Sequence, residues 1–244
     1  PLWEIYQTLV IEEPKRVPPT VICRWSEMAP VIEKSAHLVT GESAGHRVLV
    51  LDNPHLKGPP ATSSTIVAAF QCVLPGKKSS PHRHTPAATR VILEGAGGAT
   101  FVDGKRCDLY NGDLIIPRTR RGIAPRVTAE RARSGSISWT LPWLLSWMPY
   151  SVTWCGSTRS RKIFLHCQIM PLQVAVRHSP RLGYPWYEAL ATMDAGPTTG
   201  KHRTTSNAVA VVLDGEGVSE IGDQEIAGGP KDVSKLPHRA WTSH

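Results

Sequence analysis

The stretch GKKSSPHRHTPAATRVILEGAG, residues 76–97, decides the fold that we predict for this chain. His82 and His84 at its centre are separated by one residue, and alternate side chains of a β-strand project to the same face. Their imidazoles can therefore converge on one cation, since a neutral imidazole suits zinc, copper, nickel or iron. The branched apolar run at 90–94 leads into a glycine-rich turn, which is typical of a hairpin. An isolated pair of this kind is more often two surface histidines, so its surroundings decide the interpretation.

These surroundings resemble the first motif of the cupin family, in which a glycine, a short spacer and His-x-His are followed by a strand and a second glycine. Gly76, His82, His84 and Gly95 fit that motif. Beyond this motif, the sequence is similar to the gentisate 1,2-dioxygenase group of bicupins, which includes salicylate and 1-hydroxy-2-naphthoate ring-cleaving enzymes. The similar segments cover most of the first 117 residues and lie at 1–10, 46–58, 70–76, 81–95 and 102–117.

Short strands between glycine turns, together with 21 prolines and 20 glycines, predict an all-β chain. The resemblance implies a double-stranded β-helix, the cupin or jelly-roll barrel, in bicupin form with N-terminal helices and an incomplete second barrel. A first helix is expected to begin near Trp25 with Ser26 as its N-cap. A short helix is expected from Glu188 to Met193. The expected strands of the first barrel lie at 46–52, 64–74, 90–94, 99–102, through Cys107 and at 114–116.

Three units follow from the pattern: 1–116 with the first barrel, 117–181 as an anomalous segment, and 182–244 as a partial second cupin. Between residues 117 and 163 the chain has nine basic residues and one acid, which equals its whole formal charge of +8. Four of the eight tryptophans lie between Trp139 and Trp154. We detect no strand periodicity in this segment, and its sequence is no longer similar to the family, so we expect it to be poorly ordered.

Three interpretations of this anomalous segment compete. A basic patch with interleaved aromatic residues is typical of nucleic-acid binding. Residues 137–154 are apolar enough to suggest a membrane segment, although Pro142 and Pro149 make them a poor span. Translation out of frame after residue 116 explains three features together, namely the loss of sequence similarity to the family, the many arginines and the excess charge. We favour the third interpretation, and because the rest of the chain is neutral we expect neither nucleic acid nor a membrane as a partner.

The resemblance also implies a metal site. In the resembled enzymes three histidines hold Fe(II) and leave coordination positions open for a substrate and O2. The glutamate of the usual cupin motif is replaced here by alanine or threonine, so a three-histidine site is implied, with His82 and His84 as two of the ligands. No histidine lies between His84 and His166, so the third ligand is not identified. His166 and His178 are the next histidines along the chain.

Three further residues are carried over from the resembled enzymes as substrate-binding residues. Gln71 would line the substrate pocket, and Arg90 and Arg47 would pair with carboxylate or hydroxyl oxygens of the substrate. A planar guanidinium suits that role because it can donate two parallel hydrogen bonds. The plain alternatives are a cross-strand hydrogen bond for Gln71 and a surface ion pair for each arginine.

We therefore expect an Fe(II)-dependent ring-cleaving dioxygenase that opens gentisate or a related hydroxylated aromatic acid with O2. The alternative is a non-catalytic cupin that serves as a scaffold for a metal or a small ligand; a nucleic-acid binder ranks third. The resemblance implies a homo-oligomer, a tetramer in the resembled group. Five cysteines without CxxC spacing and the lack of a charged-then-apolar leader indicate reduced thiols and a cytoplasmic location.

Overall fold

The computed structural model describes residues 18–38, 48–77, 88–94, 98–102, 105–115, 126–129, 134–140, 172–177, 188–193, 195–196, 198–203 and 207–244. Within these ranges the chain forms one helix, α1 (Trp25–Leu38), and sixteen strands, which confirms the all-β prediction. In chain order the strands are β1 (Val21–Cys23), β2 (Val48–Val50), β3 (Val67–Val73), β4 (Ala88–Glu94), β5 (Gly98–Val102), β6 (Lys105–Leu109), β7 (Leu114–Ile115), β8 (Arg126–Ala129), β9 (Ser134–Thr140), β10 (Leu172–Arg177), β11 (Glu188–Met193), β12 (Ala208–Val211), β13 (Gly217–Ile221), β14 (Gln224–Gly228), β15 (Val233–Leu236) and β16 (Thr242–Ser243).

Two antiparallel sheets form the first barrel. One has five strands in the order β2-β3-β9-β4-β7, and the other has three in the order β6-β5-β8. The interior between them is filled by an apolar cluster of Val73, Ile92 and Ile115 from the larger sheet and Leu109 from the smaller one. Side chains alternate along each strand, so the residues between these positions face outward.

The outward face of the larger sheet is also covered. Ala68, Phe70 and Cys72 of β3 pack in a second apolar cluster with Ile32 and Ala36 of α1. The ring centroids of Trp25 and Phe70 lie 5.8 Å apart in an edge-to-face arrangement. Strand β3 is therefore buried on both faces, which explains why its sequence is apolar nearly throughout.

The C-terminal unit contains a strand from the beginning of the chain. Its three-stranded sheet has the order β1-β15-β12, with Val21 directly opposite Lys235. A second sheet has the order β14-β13-β16. Strands β12 to β14 lie within the predicted partial second cupin, whereas the expectation that the N-terminal region is helical is wrong for Val21–Cys23. Two of these three residues are β-branched and suit a strand, and β15 offers them a free edge.

The N-terminus of α1 is capped by a residue from the far end of the chain. One carboxylate oxygen of Asp232 accepts a hydrogen bond from the Trp25 amide at 2.8 Å. The other accepts from Arg24 Nη1 at 2.9 Å and from the Gly229 amide at 3.1 Å. The prediction that Ser26 is the N-cap is therefore wrong, because the helix begins at Trp25 and Ser26 lies inside its first turn.

Two further predictions about secondary structure are wrong. Strands β8, β9 and β10 lie within residues 117–181, where we expected poor order, and β9 pairs on both sides in the larger sheet. The sequence of β9 alternates serine with Ile137 and Trp139, a strand pattern that its basic, tryptophan-rich surroundings obscured. Likewise Glu188–Met193 is strand β11, not a helix, because its backbone pairs over six positions with β10. Tertiary pairing here overrides helix propensity. The boundaries of the three units remain predictions.

The turn before β15 also contacts the first barrel through Lys231. Its ammonium forms an ion pair with Glu94 at the end of β4 and lies 5.1 Å from the centroid of the Trp25 ring. Both charged side chains are partly exposed, at 28% and 39%. This contact joins the C-terminal unit to the strand that carries Arg90.

Replacing Lys231 by methionine is expected to reduce the free energy of unfolding by only about 1 kcal/mol, because partly exposed ion pairs and cation–π contacts are each worth about 0.5–1 kcal/mol. Urea denaturation of the full chain measures this change. Lys201→Met is the control, since Lys201 is 71% exposed and pairs with Glu220 at 3.2 Å. A loss several times larger for Lys231→Met would mean that this pair holds the two units together.

The structure bears on two further predictions, one about a membrane segment and one about the state of the cysteines. Within the described ranges no helix is long and apolar enough to cross a membrane. Cys23 and Cys72 are reduced thiols outside any disulfide. Cys107 is disulfide-bonded, so the prediction of reduced thiols is wrong for this residue. The lack of CxxC spacing says nothing about cysteines that are distant in sequence and meet only in the folded chain.

Candidate active site inside the first barrel

Gln71 and Arg90 lie on the same face of the larger sheet. Gln71 is paired with Ser136 of β9, and Arg90 is paired with Ser138 of the same strand. Because their partners are two residues apart on β9, the two side chains project to the same side. Both are buried, with 5% and 4% exposure. That side is the barrel interior, since the next inward positions along β3 and β4 belong to the interior apolar cluster.

The guanidinium of Arg90 spans the two sheets. Its Nη1 donates a hydrogen bond to Thr100 Oγ1 on β5 at 3.3 Å. Its Nε is buried and has no hydrogen-bond partner in the structure as described. Burial lowers the pKa of Arg90 to about 10, so the side chain is still a cation at neutral pH. Thr100 itself is fully buried, which fixes the acceptor on the opposite wall.

This arrangement leaves a buried positive charge without a described counter-ion. No carboxylate within the described ranges lies at ion-pair distance from Arg90. Keeping an uncompensated charge in a protein interior costs several kcal/mol, roughly, even after relaxation. A guanidinium has five N–H donors, and Thr100 uses one of them. The guanidinium of Arg90 can therefore balance the charge of an anion bound in the interior. Its planar, forked N–H donors suit a carboxylate.

The interior face opens towards solvent at one edge. Strand β2 is the edge strand of the larger sheet, and its Val48 lies directly opposite Gln71. Val48 is 45% exposed although Gln71 is buried. On the other side Arg90 is paired with Ile115 of β7, which is 4% exposed. The β2 edge of this face is therefore exposed, whereas its β7 edge is buried.

Several predicted site residues lie outside the described residues. His82, His84 and Arg47 are in this group, as are His166 and His178. Among the residues that are described, no three His, Cys, Asp or Glu side chains are grouped to hold a metal ion. The metal pair and the role of Arg47 remain predictions. The structure brings together Gln71 and Arg90, which sequence reasoning named, and adds Thr100, which it missed. The sequence signal that could have identified Thr100 was a polar residue at an inward position of the strand predicted at 99–102.

Comparison with known proteins bears on this barrel. The Cupin domain family matches residues 69–122, a range that starts in β3 and contains both Gln71 and Arg90. The predicted cupin fold is thereby confirmed, and the candidate site lies inside the matched range.

The relatives of the chain carry the names that the sequence resemblance suggested. It is 34% identical to gentisate 1,2 dioxygenase 1 of Aquipseudomonas alcaligenes over 116 residues, which are 48% of this chain and 33% of the relative. It is 26% identical to 5-aminosalicylate 1,2-dioxygenase of Comamonas sp, with coverage of 100% of this chain and 79% of the relative. The chain thus matches about a third of the length of the first relative, and the similarity to this group is confirmed.

A solved structure extends the likeness beyond the cupin domain. Salicylate 1,2-dioxygenase of Pseudoaminobacter salicylatoxidans, in adducts with gentisate, superposes with a TM-score of 0.81 at 18% identity. The match covers 100% of this chain and 82% of that enzyme. At this identity the likeness shows the fold. It supports the bicupin architecture, in which the C-terminal unit accompanies the cupin domain.

Proposed function

We propose that this chain is an Fe(II)-dependent ring-cleaving dioxygenase that acts on gentisate or a related hydroxylated aromatic acid, with O2 as the second substrate. The observation that carries the proposal is the buried guanidinium of Arg90, which has no counter-ion among the described residues and lies in the range that matches the cupin family. A cation in this place fits a substrate with a carboxylate. The names of the relatives supply the reaction class, and the proposal extends it to this chain.

In this proposal Arg90 binds the substrate carboxylate and Thr100 orients the guanidinium from the opposite sheet. Gln71 projects into the same interior, where its amide can donate to or accept from a ring hydroxyl. The apolar cluster of the barrel interior packs against the aromatic ring and excludes water. Low polarity around Arg90 strengthens its attraction to a carboxylate, because charges interact more strongly away from water.

The metal would be held by His82 and His84, with a third ligand that lies outside the described residues. Imidazole is a donor that suits iron, so the predicted pair fits the implied ion. When bound, Fe(II) would supply the route by which electrons pass from the ring to oxygen. The residues of the chain contribute binding, orientation and the exclusion of water. A cytoplasmic location and a homo-oligomeric state belong to the same proposal and are supported by the resemblance.

A non-catalytic cupin is the second candidate. It rests on the same buried guanidinium of Arg90, which could bind an anion without any metal. Such a protein would bind an aromatic acid at Arg90 without turnover. The two candidates share the ligand and differ in iron and in oxygen consumption.

Iron analysis and oxygen uptake decide between these candidates. We expect stoichiometric iron and oxygen consumption with at least one of gentisate, salicylate and 1-hydroxy-2-naphthoate. The variant His82→Ala should lose both iron and uptake, whereas His55→Ala in the exposed loop after β2 should keep them. A folded protein that binds no iron and consumes no oxygen would support the non-catalytic scaffold.

A further inference from the structure

Three polar side chains of the C-terminal unit share one face of its sheet. His202 forms a bridge with Thr242, and Thr242 is also directly opposite Ile221 of β13. Continuing this antiparallel register by two residues places His244 beside Ser219, and their side chains are hydrogen-bonded at 2.8 Å. Alternation along the strands therefore puts His202, Ser219 and His244 on the same side.

The backbone of His244 is held in place by Thr199. The Thr199 amide donates to the His244 carbonyl at 2.7 Å, and the His244 amide donates to Thr199 Oγ1 at 2.8 Å. The amide and carbonyl of His202 likewise exchange hydrogen bonds with Thr242. Both histidines thus project from paired backbone, which fixes the distance between them.

The two imidazole rings lie close to each other. Their ring centroids are 6.0 Å apart with an interplanar angle of 49°. Nδ1 of His202 lies 3.1 Å from the Gly200 carbonyl, which can only accept, so this contact uses Nδ1 as the donor. Nδ1 of His244 lies 2.8 Å from the Ser219 hydroxyl, which can donate or accept. In the tautomer in which Nδ1 carries the hydrogen, Nε2 has a lone pair that can bind a metal.

We propose that His202 and His244 form a two-histidine site for a divalent transition-metal ion of the Zn²⁺, Cu²⁺ or Ni²⁺ class, bound through both Nε2 atoms. Histidines that bind metals usually donate their other N–H to a carbonyl or another oxygen, as both do here. Two imidazoles on a tetrahedral metal would have centroids about 5 Å apart, given metal–nitrogen bonds of about 2.0–2.1 Å. The present separation reaches that value by a small side-chain rotation.

The surroundings are consistent with an exposed ion that keeps water ligands. His202 is exposed, whereas His244 is half-buried. The neighbouring cations have other partners: Lys201 pairs with Glu220 at 3.2 Å, and Arg203 lies 4.8 Å from the centroid of the Trp241 ring. The site uses neither His82 nor His84 and does not depend on the proposed dioxygenase activity.

Zinc titration of the full chain tests the proposal. The protein would carry His82→Ala and His84→Ala, which removes the predicted iron pair, and would be treated with a chelator and dialysed before titration with ZnCl2. Calorimetry should show one zinc equivalent per chain. In this background His202→Ala and His244→Gln should each lower zinc affinity at least tenfold, and Ser219→Ala should lower it about tenfold through the lost support of His244.

The control is His238→Ala in the same unit, where His238 Nδ1 bonds to Asn207 Oδ1 at 3.2 Å. This variant should bind zinc like the background protein. Zinc should also raise the melting temperature of the background protein and of His238→Ala, but not that of His202→Ala, whose exposed side chain can be removed without loss of the fold. Equal zinc affinity in His202→Ala, His244→Gln and the background protein would overturn the proposal, and so would the absence of zinc binding by the background protein.

Discussion

Replacing Arg90 by methionine is expected to make the ligand-free protein more stable while abolishing its binding of aromatic carboxylates. The substitution removes a buried cation that has one hydrogen bond and a buried Nε without a described partner. Removing the charge gains more than the roughly 1 kcal/mol lost with the hydrogen bond to Thr100, so we expect a net gain of about 1–2 kcal/mol. At about 2–4 °C per kcal/mol for a chain of this size, the melting temperature should rise by several degrees.

The same substitution should eliminate ligand-induced stabilisation. A carboxylate that binds the folded protein at one hundred times its Kd stabilises it by about 2.7 kcal/mol. Salicylate or gentisate should therefore raise the melting temperature of the unsubstituted chain and leave Arg90→Met unchanged. This measurement needs no turnover, so it tests carboxylate binding separately from catalysis.

The matched control is Arg106→Met on neighbouring β6. Arg106 is 46% exposed at its side chain and pairs with Asp108 at 2.8 Å. Its removal should change the melting temperature by no more than about one degree. The response to salicylate should stay the same. A large loss of stability in Arg90→Met would show that the guanidinium is compensated within the protein, and unchanged salicylate binding would show that the carboxylate binds elsewhere.

Asp232→Ala is expected to produce a large loss of stability. Its carboxylate accepts hydrogen bonds from the Trp25 and Gly229 amides and from Arg24, and it is the cap of α1. Losing these partners should cost about 2–4 kcal/mol, since a helix cap is worth about 1 kcal/mol and each hydrogen bond to a charged group more than that. Urea denaturation measures the loss. Asp108→Ala, in an exposed ion pair, is the control and should lose little.

Acid should diminish the contribution of Asp232. Burial by itself raises the pKa of this carboxyl, but hydrogen bonds from Trp25, Arg24 and Gly229 outweigh it, so the folded-state pKa is lowered. A lowered folded-state pKa stabilises the protein above the unfolded value of about 3.9, and this stabilisation is lost as pH falls through the folded value. The stability difference between the unsubstituted chain and Asp232→Asn should therefore shrink on acidification. A difference that stays constant down to strongly acidic pH would contradict this assignment.

Local sequence patterns were sufficient for the strands of the first barrel. The alternating runs and glycine turns between residues 46 and 116 correspond to β2 through β7, with ends shifted by a few residues. The motif around His82 and His84 led to the cupin fold through its resemblance to the first motif of that family. For the candidate site, the position of Arg90 on the following strand was predictable. Its burial and its contact with Thr100 were not, because they depend on the opposite sheet.

Contacts between distant parts of the chain escaped sequence analysis for a physical reason. The alternating pattern of β9 is short, and only its pairing with β3 and β4 shows that it belongs to the larger sheet. Glu188–Met193 consists mostly of good helix formers and still pairs as a strand with β10. Ser26 looked like an N-cap because capping patterns are local, whereas the acceptor that caps α1 comes from Asp232.

The pairing of β1 with β15 sets an order of events during synthesis and folding. The Trp25 amide and its Asp232 acceptor are 207 residues apart, and β1 finds its neighbour only when β15 has been synthesised. Contacts with such long sequence separation slow folding, because the entropy of closing the chain is lost before they form. Until then the apolar face around Phe70 lacks its cover from Val233. The burial of this face is therefore delayed until β15 is available, a period in which a chaperone has an apolar surface to bind.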